Sequence, residues 1–158
     1  MTVPHPERVG TPDAPVGPPA RRASSWDGQG PVVAMVALGG ALGATARYGA
    51  ARLWPVETGG FPWTTFWVNV AGCALIGVFM VVITDVWAAH RLVRPFFGTG
   101  VLGGFTTFST YAVDIRGLLD EGHPVTGFAY LAATLIAALT AVWLAVTVTR
   151  RALAGRRR

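Results

Sequence analysis

Gly98-Thr99-Gly100-Val101-Leu102-Gly103-Gly104-Phe105-Thr106-Thr107-Phe108-Ser109-Thr110-Tyr111 lies inside a long apolar run, where an ordinary membrane helix would be rich in Leu, Ile and Val. It holds four glycines, then five hydroxyl side chains interleaved with aromatic rings. Glycine weakens a helix and lets other backbones come close, while Ser and Thr offer backbone groups an alternative hydrogen-bond partner. At membrane depth a loosened backbone is tolerated only where protein buries it or it lines a polar cavity. Broken helices of this kind hold ion sites in transporters. The expectation is an ion site or pathway centred on Gly103 to Tyr111. Gly100 and Gly104 also make a GxxxG pair, for which tight helix packing is a sufficient reason. Packing alone does not call for Thr106, Thr107, Ser109 and Thr110 beside two aromatic rings.

Working outward, 52% of the 158 residues are hydrophobic and 13% are charged, about half the roughly 25% charged fraction of soluble domains. The mean hydropathy is +0.47, and the apolar residues come in runs too long for a soluble core. The chain reads as an all-α integral membrane protein. Its single cysteine, Cys73, sits within an apolar run, so no intrachain disulfide can form. All 13 basic residues are arginine, against 8 acidic ones. They mostly flank the apolar runs, which points to topology signals and away from nucleic acid.

Residues 1–30 or so, with seven of the eleven prolines by Pro31, read as a disordered cytoplasmic tail. Residues 31–150 form the membrane domain, and 151–158 an Arg-rich C-terminal tail that can also touch anionic membrane lipid. Four runs, each near the ~20 residues a crossing needs, extend over about Val32–Trp54, Thr64–Thr84, Leu92–Ile115 and Val125–Thr149. Pro55, Gly59, Gly60 and Pro62, then Arg91 to Pro95, then Gly122 to Pro124 punctuate the loops. An even number of spans places both termini on one side. That side, with the second loop, carries ten arginines, and the other carries Arg52 and Arg116. The positive-inside rule puts both termini in the cytoplasm of a multi-pass plasma-membrane protein.

Within the spans, Arg47 is a charge that faces a bundle interior or aqueous vestibule, or snorkels to the near interface. Asn69 carries two amide hydrogens to donate; an interhelical hydrogen bond is its plainest use. Tyr130 and Thr134 are four apart and share a helix face, on which the next residue is Ala138. Asp85 and Asp114 fall at span ends, leaving no carboxylate in a span interior for proton coupling. There is no nucleophile with its base, no metal cluster and no phosphate loop, and His5, His90 and His123 lie in the tail or loops. These absences argue against an enzyme.

Gly39-Gly40-Ala41-Leu42-Gly43-Ala44 with Arg47-Tyr48, Val68-Asn69-Val70-Ala71-Gly72, and Gly103-Gly104-Phe105-Thr106-Thr107-Phe108-Ser109-Thr110 together resemble the CrcB/Fluc family of fluoride channels, over about residues 34–148. The third motif is the specific one. The resemblance implies four transmembrane helices with a break in the third, and an antiparallel, dual-topology dimer with two narrow fluoride pores. It implies pore roles for Asn69, Phe108, Ser109, Thr110, Tyr111, Tyr130 and Thr134, with Arg47 as the family's first-helix arginine. It also implies a structural sodium ion at the dimer centre, held by backbone carbonyls of Gly103 and Thr106. The function implied is passive fluoride efflux. A small four-helix secondary transporter and a non-conducting scaffold subunit are the competing readings.

Two departures from the family pattern stand out. Tyr111 occupies the position of a usual Phe, and Ala138 removes one hydroxyl from the fourth-helix track. The arginine bias also sits poorly with a chain that inserts both ways, since dual insertion calls for balanced flanking charge. The dimer forms with a second copy or, given that bias, with an oppositely oriented paralogue.

Overall fold

The computed structural model describes residues 29–85 and 91–156. Residues 1–28 of the expected 1–30 tail, the segment 86–90 with His90, and Arg157 and Arg158 lie outside the described residues, and Gly30 already opens the first helix. The described residues are helical with short connections and no strand.

Helix α1, Gly30–Leu53, opens with Pro31 in its first turn, where a missing N–H costs nothing. It ends at Trp54, whose N–H still reaches Ala50 O, just before Pro55. The loop that follows reverses at Gly59, whose φ of 73° suits only a residue without a side chain. Helix α2, Trp63–Asp85, starts behind Pro62. The last helix, named α5 below, is Pro124–Arg156 and follows Gly122, which has φ 81°. It runs two turns beyond the expected Thr149. Three helices, Gly30–Leu53, Trp63–Asp85 and Pro124–Gly155, are long and apolar enough to cross a membrane.

The third apolar run is built from shorter pieces. Wide π-type turns over Pro95–Leu102 pass into one α-turn at Gly103–Phe105, together α3. Thr106 (ψ 156°) and Thr107 (φ −149°, ψ 124°) are then extended, and α4 covers Phe108–Asp120. The restart is local chemistry: Thr107 Oγ1 accepts the backbone N–H of Thr110 at 3.1 Å, capping one of the orphan donors of the new helix. Because α4 continues to Asp120, Asp114 lies within the helix. The expectation that Asp114 marks a span end is therefore corrected for the helix that carries it.

Packing follows the small residues. The pairs Gly39/Gly43 on α1 and Gly100/Gly104 on α3 face one another. A methyl group on Gly100 would come within 2.9 Å of Gly39 Cα, and one on Gly43 within 2.7 Å of Phe105 N. Backbones touch here, and any side chain would have to part them. On α2, Gly77 packs beside Val142 and Ala145 of α5, while Phe66 clusters with Tyr130. The contacts advance together along both helices, so α2 and α5 run parallel. Asn69 is then level with Thr134, and Cys73 with Ala138.

Candidate functional site

The interruption between α3 and α4 is held by one side chain. Asn69 Nδ2 donates to Thr107 O at 3.0 Å, and Asn69 Oδ1 accepts from Thr107 N at 2.8 Å. A carboxamide thus pairs with both backbone groups of one extended residue, as a neighbouring strand would. This is the interhelical bond expected of Asn69, and it leaves the second Nδ2 hydrogen unspent. Gly72, one turn along the same face, allows the approach, since a side chain there would meet Thr106 Cγ2. Thr106 Oγ1 turns back to Leu102 O at 2.9 Å.

Thr107 is the residue that site prediction from the motif left out. Its Oγ1 donates to Thr110 Oγ1 at 3.1 Å and lies 3.2 Å from Ser109 Oγ. Arg47 closes the cluster from α1: Nε donates to Gly104 O at 3.2 Å, and Nη1 reaches Thr110 Oγ1 at 3.5 Å. Arg47 therefore turns inward, onto a carbonyl that the broken helix cannot use. Thr110 Oγ1 receives hydrogens from both Thr107 and Arg47, which leaves its own proton free to donate. The signal for Thr107 was its spacing, three residues before Thr110, as a cap requires.

Beside this cluster, a groove of about 280 Å³ opens between α2, α4 and α5. It is lined by Asn69 and Cys73, by Thr106, Thr107, Phe108 and Tyr111 at the interruption, and by Thr134, Leu135 and Ala138. Thr134 is buried, at 5% exposure, and its Oγ1 has no hydrogen-bond partner. A buried hydroxyl costs free energy until something bonds to it. Phe108 is the opposite case, with 80% of its surface exposed. Its ring centroid is 5.9 Å from that of Tyr111. The Tyr111 hydroxyl donates to Leu131 O at 2.8 Å, so the polar group that sets it apart from Phe is used on α5.

The other predicted residues fall elsewhere. Tyr130 shares a helix face with Thr134 but is fully buried in an aromatic cluster, 5.2 Å from Phe61 and 5.1 Å from Tyr111 by ring centroids. Its hydroxyl donates to Asp114 Oδ2 at 3.4 Å, and it is not among the groove-lining residues. Ser109 is exposed beside Thr107, and Thr110 and Arg47 lie on the far side of Thr107. There a small hollow of about 90 Å³ is lined by Arg47, Thr107 and Thr110 among others. Thr107 is common to the hollow and the groove. Gly103 is exposed, and among the described residues nothing outside its own helix comes within 4 Å of where its side chain would be. A larger recess of about 430 Å³ is lined by Trp54, Trp63 and Trp67, and its one hydroxyl, on Thr64, bonds to Trp54 O.

Comparison with known proteins places these motifs. Residues 34–146 match the family described as CrcB-like protein, Camphor Resistance (CrcB). The chain is 75% identical over 158 residues, all of both chains, to a fluoride-specific ion channel FluC 2 of Streptomyces avermitilis. It is 65% identical over 156 residues, 99% of each chain, to a fluoride-specific ion channel FluC 1 of Streptomyces coelicolor. A fluoride-specific ion channel FluC 3, also from Streptomyces avermitilis, is 45% identical over 125 residues, 79% of this chain and 61% of that one.

Proposed function

The chain belongs to the CrcB-like family and is a fluoride channel, not an enzyme, and from that premise we propose that fluoride leaves the cytoplasm passively through the groove between α2, α4 and α5. The observation that carries this reading is the unpartnered, buried hydroxyl of Thr134, a residue that lines the same groove as Asn69 and the two aromatic rings. Fluoride holds its water tightly, so a dry path has to supply donors in place of that water. Thr134 Oγ1–H, the second Asn69 amide hydrogen and the positive ring edges of Phe108 and Tyr111 are such donors. Each is weak alone, and several weak sites in a row let an ion enter and leave. Arg47, beside Thr107 and Thr110, supplies fixed positive charge next to the path.

The finer reading follows from what one chain leaves open. The third apolar run crosses as an interrupted span, giving four crossings in the plasma membrane with both termini in the cytoplasm. Phe108 projects away from its own chain, which fits a ring that completes the pore against a second, oppositely oriented chain. Gly103, bare and exposed, fits a face that meets that chain. The amide that would cap its carbonyl, Thr107 N, is turned to Asn69. The Gly103 carbonyl, together with that of Thr106, is then available to a hard cation, and sodium suits such oxygen donors. When bound there, sodium supplies positive charge at the dimer centre.

Ten arginines against two still bias insertion toward one orientation. The partner is then a related chain of opposite bias, and the occurrence of FluC 2 and FluC 3 in one Streptomyces supports it. Tags on each terminus read this in cells, and equal populations on both sides of the membrane would reject it. The function itself is tested by fluoride efflux from liposomes holding the chain, alone and with a co-expressed relative. We expect release that the substitution Thr134→Val slows about tenfold, which is about 1.4 kcal/mol on the barrier. No release in either arrangement refutes the reading.

A further inference from the structure

We infer that Cys73 is a working member of the fluoride path, supplying the donor that Ala138 fails to supply at the next level below Asn69. The inference rests on the groove being the path and names a residue no motif pointed to. Cys73 follows Asn69 by four residues, so both stand on one face of α2, and both line the groove. Opposite them, Thr134 and Ala138 are four apart on α5 and line it too. The parallel run of α2 and α5, registered by Gly77 against Val142 and Ala145, sets Asn69 beside Thr134 and Cys73 beside Ala138. At the upper level an anion meets an amide and the unpartnered hydroxyl of Thr134, itself buried. One turn further toward the cytoplasmic end of α2, Ala138 offers only a methyl group.

The Cys73 thiol is the polar side chain the groove places at that level. It is half-buried and unpaired with any disulfide partner. An S–H is a weak donor, and a weak site after a stronger one suits passage, because an ion held firmly at every level would not move on. The ligand is a small, hard anion that has lost part of its water.

The chain has one cysteine, so thiol chemistry on the native protein reports on this position alone. Methyl methanethiosulfonate is the probe. The Cys73 thiolate attacks its sulfenyl sulfur, methanesulfinate leaves with the electron pair of the broken S–S bond, the thiol proton goes to water, and a methyl disulfide remains on the side chain. In liposomes assayed for fluoride efflux, modification should block flux in proportion to the modified fraction read by intact mass. Millimolar fluoride should slow the modification. Cys73→Val, of similar size without the donor, should cut flux about tenfold, while Cys73→Ser retains flux within about threefold of native and is indifferent to the reagent.

Complete modification with undiminished flux overturns the inference, as does native flux in Cys73→Val. A native chain that passes no fluoride, yet whose modification fluoride still slows, would instead refute the conduction reading and leave Cys73 in the anion site.

Discussion

Replacing Asn69 by alanine should damage the fold before it damages the pore. Its side chain makes two hydrogen bonds, 2.8 and 3.0 Å long, to the N–H and C=O of Thr107. The N–H has no helical partner, because Thr107 is extended, while its C=O, at the N-cap, also accepts the first bond of α4. Losing a typical bond costs about 1 kcal/mol, and stranding a buried donor or acceptor costs about 1–3 kcal/mol. Two bonds to partly buried groups therefore put the loss at roughly 2–4 kcal/mol. For a chain of this size about 1 kcal/mol moves a melting temperature by roughly 2–4 °C, so the fall should be on the order of 10 °C. The assay is thermal unfolding in detergent followed by tryptophan fluorescence, with Thr134→Val measured alongside. Thr134 Oγ1 has no partner to lose, so that variant should melt within a degree or two of native while still losing flux. Asn69→Ala melting with the native chain would refute the idea that this amide holds the interruption in place.

Phe108→Ala removes a ring that is 80% exposed, so it should leave the melting temperature of the single chain unmoved yet cut fluoride efflux about tenfold or more, measured with a fluoride electrode. Gly43→Ala puts a methyl group against the backbone of Val101 and Phe105 and should cost about 1–3 kcal/mol, seen as loss of the monodisperse peak in size exclusion; Gly40→Ala, with open space at that position, should keep the peak. Tyr111→Phe deletes the bond to Leu131 O and should lower stability by about 1 kcal/mol in the same thermal assay.

Much of this could be read in the residues themselves. Pro31 and Pro124 stand in the first turns of their helices and Pro62 just before its own, because a proline costs nothing where the N–H has no partner. The two GxxxG pairs announced close backbones. What stayed hidden depended on distance through space. Four hydroxyls stand almost in sequence from Thr106 to Thr110, and only the point where the helix stops decides that Thr107 is the cap. The phenol of Tyr111 finds a carbonyl twenty residues away on α5, a partner no local pattern names. Tyr130 shows the converse. Its spacing to Thr134 is right for a common face, yet the ring is long enough to leave that face and bury itself beside Phe61 and Asp114. Cys73 was within reach, four residues from Asn69, but an apolar setting makes a thiol look like filler.

At these glycines, close packing and the placing of polar groups are one arrangement. Gly39 and Gly43 let α1 lie against α3, and that contact alone brings Arg47 to Gly104 O at 3.2 Å. Gly72 lets Thr106 press onto α2, and the same approach brings Thr107 within reach of Asn69. Each small residue shortens a distance that a hydrogen bond then uses. With a side chain at Gly72 the amide could not pair with Thr107, the Thr107 N–H would again be free to donate to α3, and the interruption would rest on the Thr107–Thr110 cap alone. Close packing is how this chain makes polar groups available in lipid: it holds backbones near enough that side chains can satisfy the broken ends. Among the described residues, the buried side-chain oxygen left unsatisfied is that of Thr134, which lines the groove.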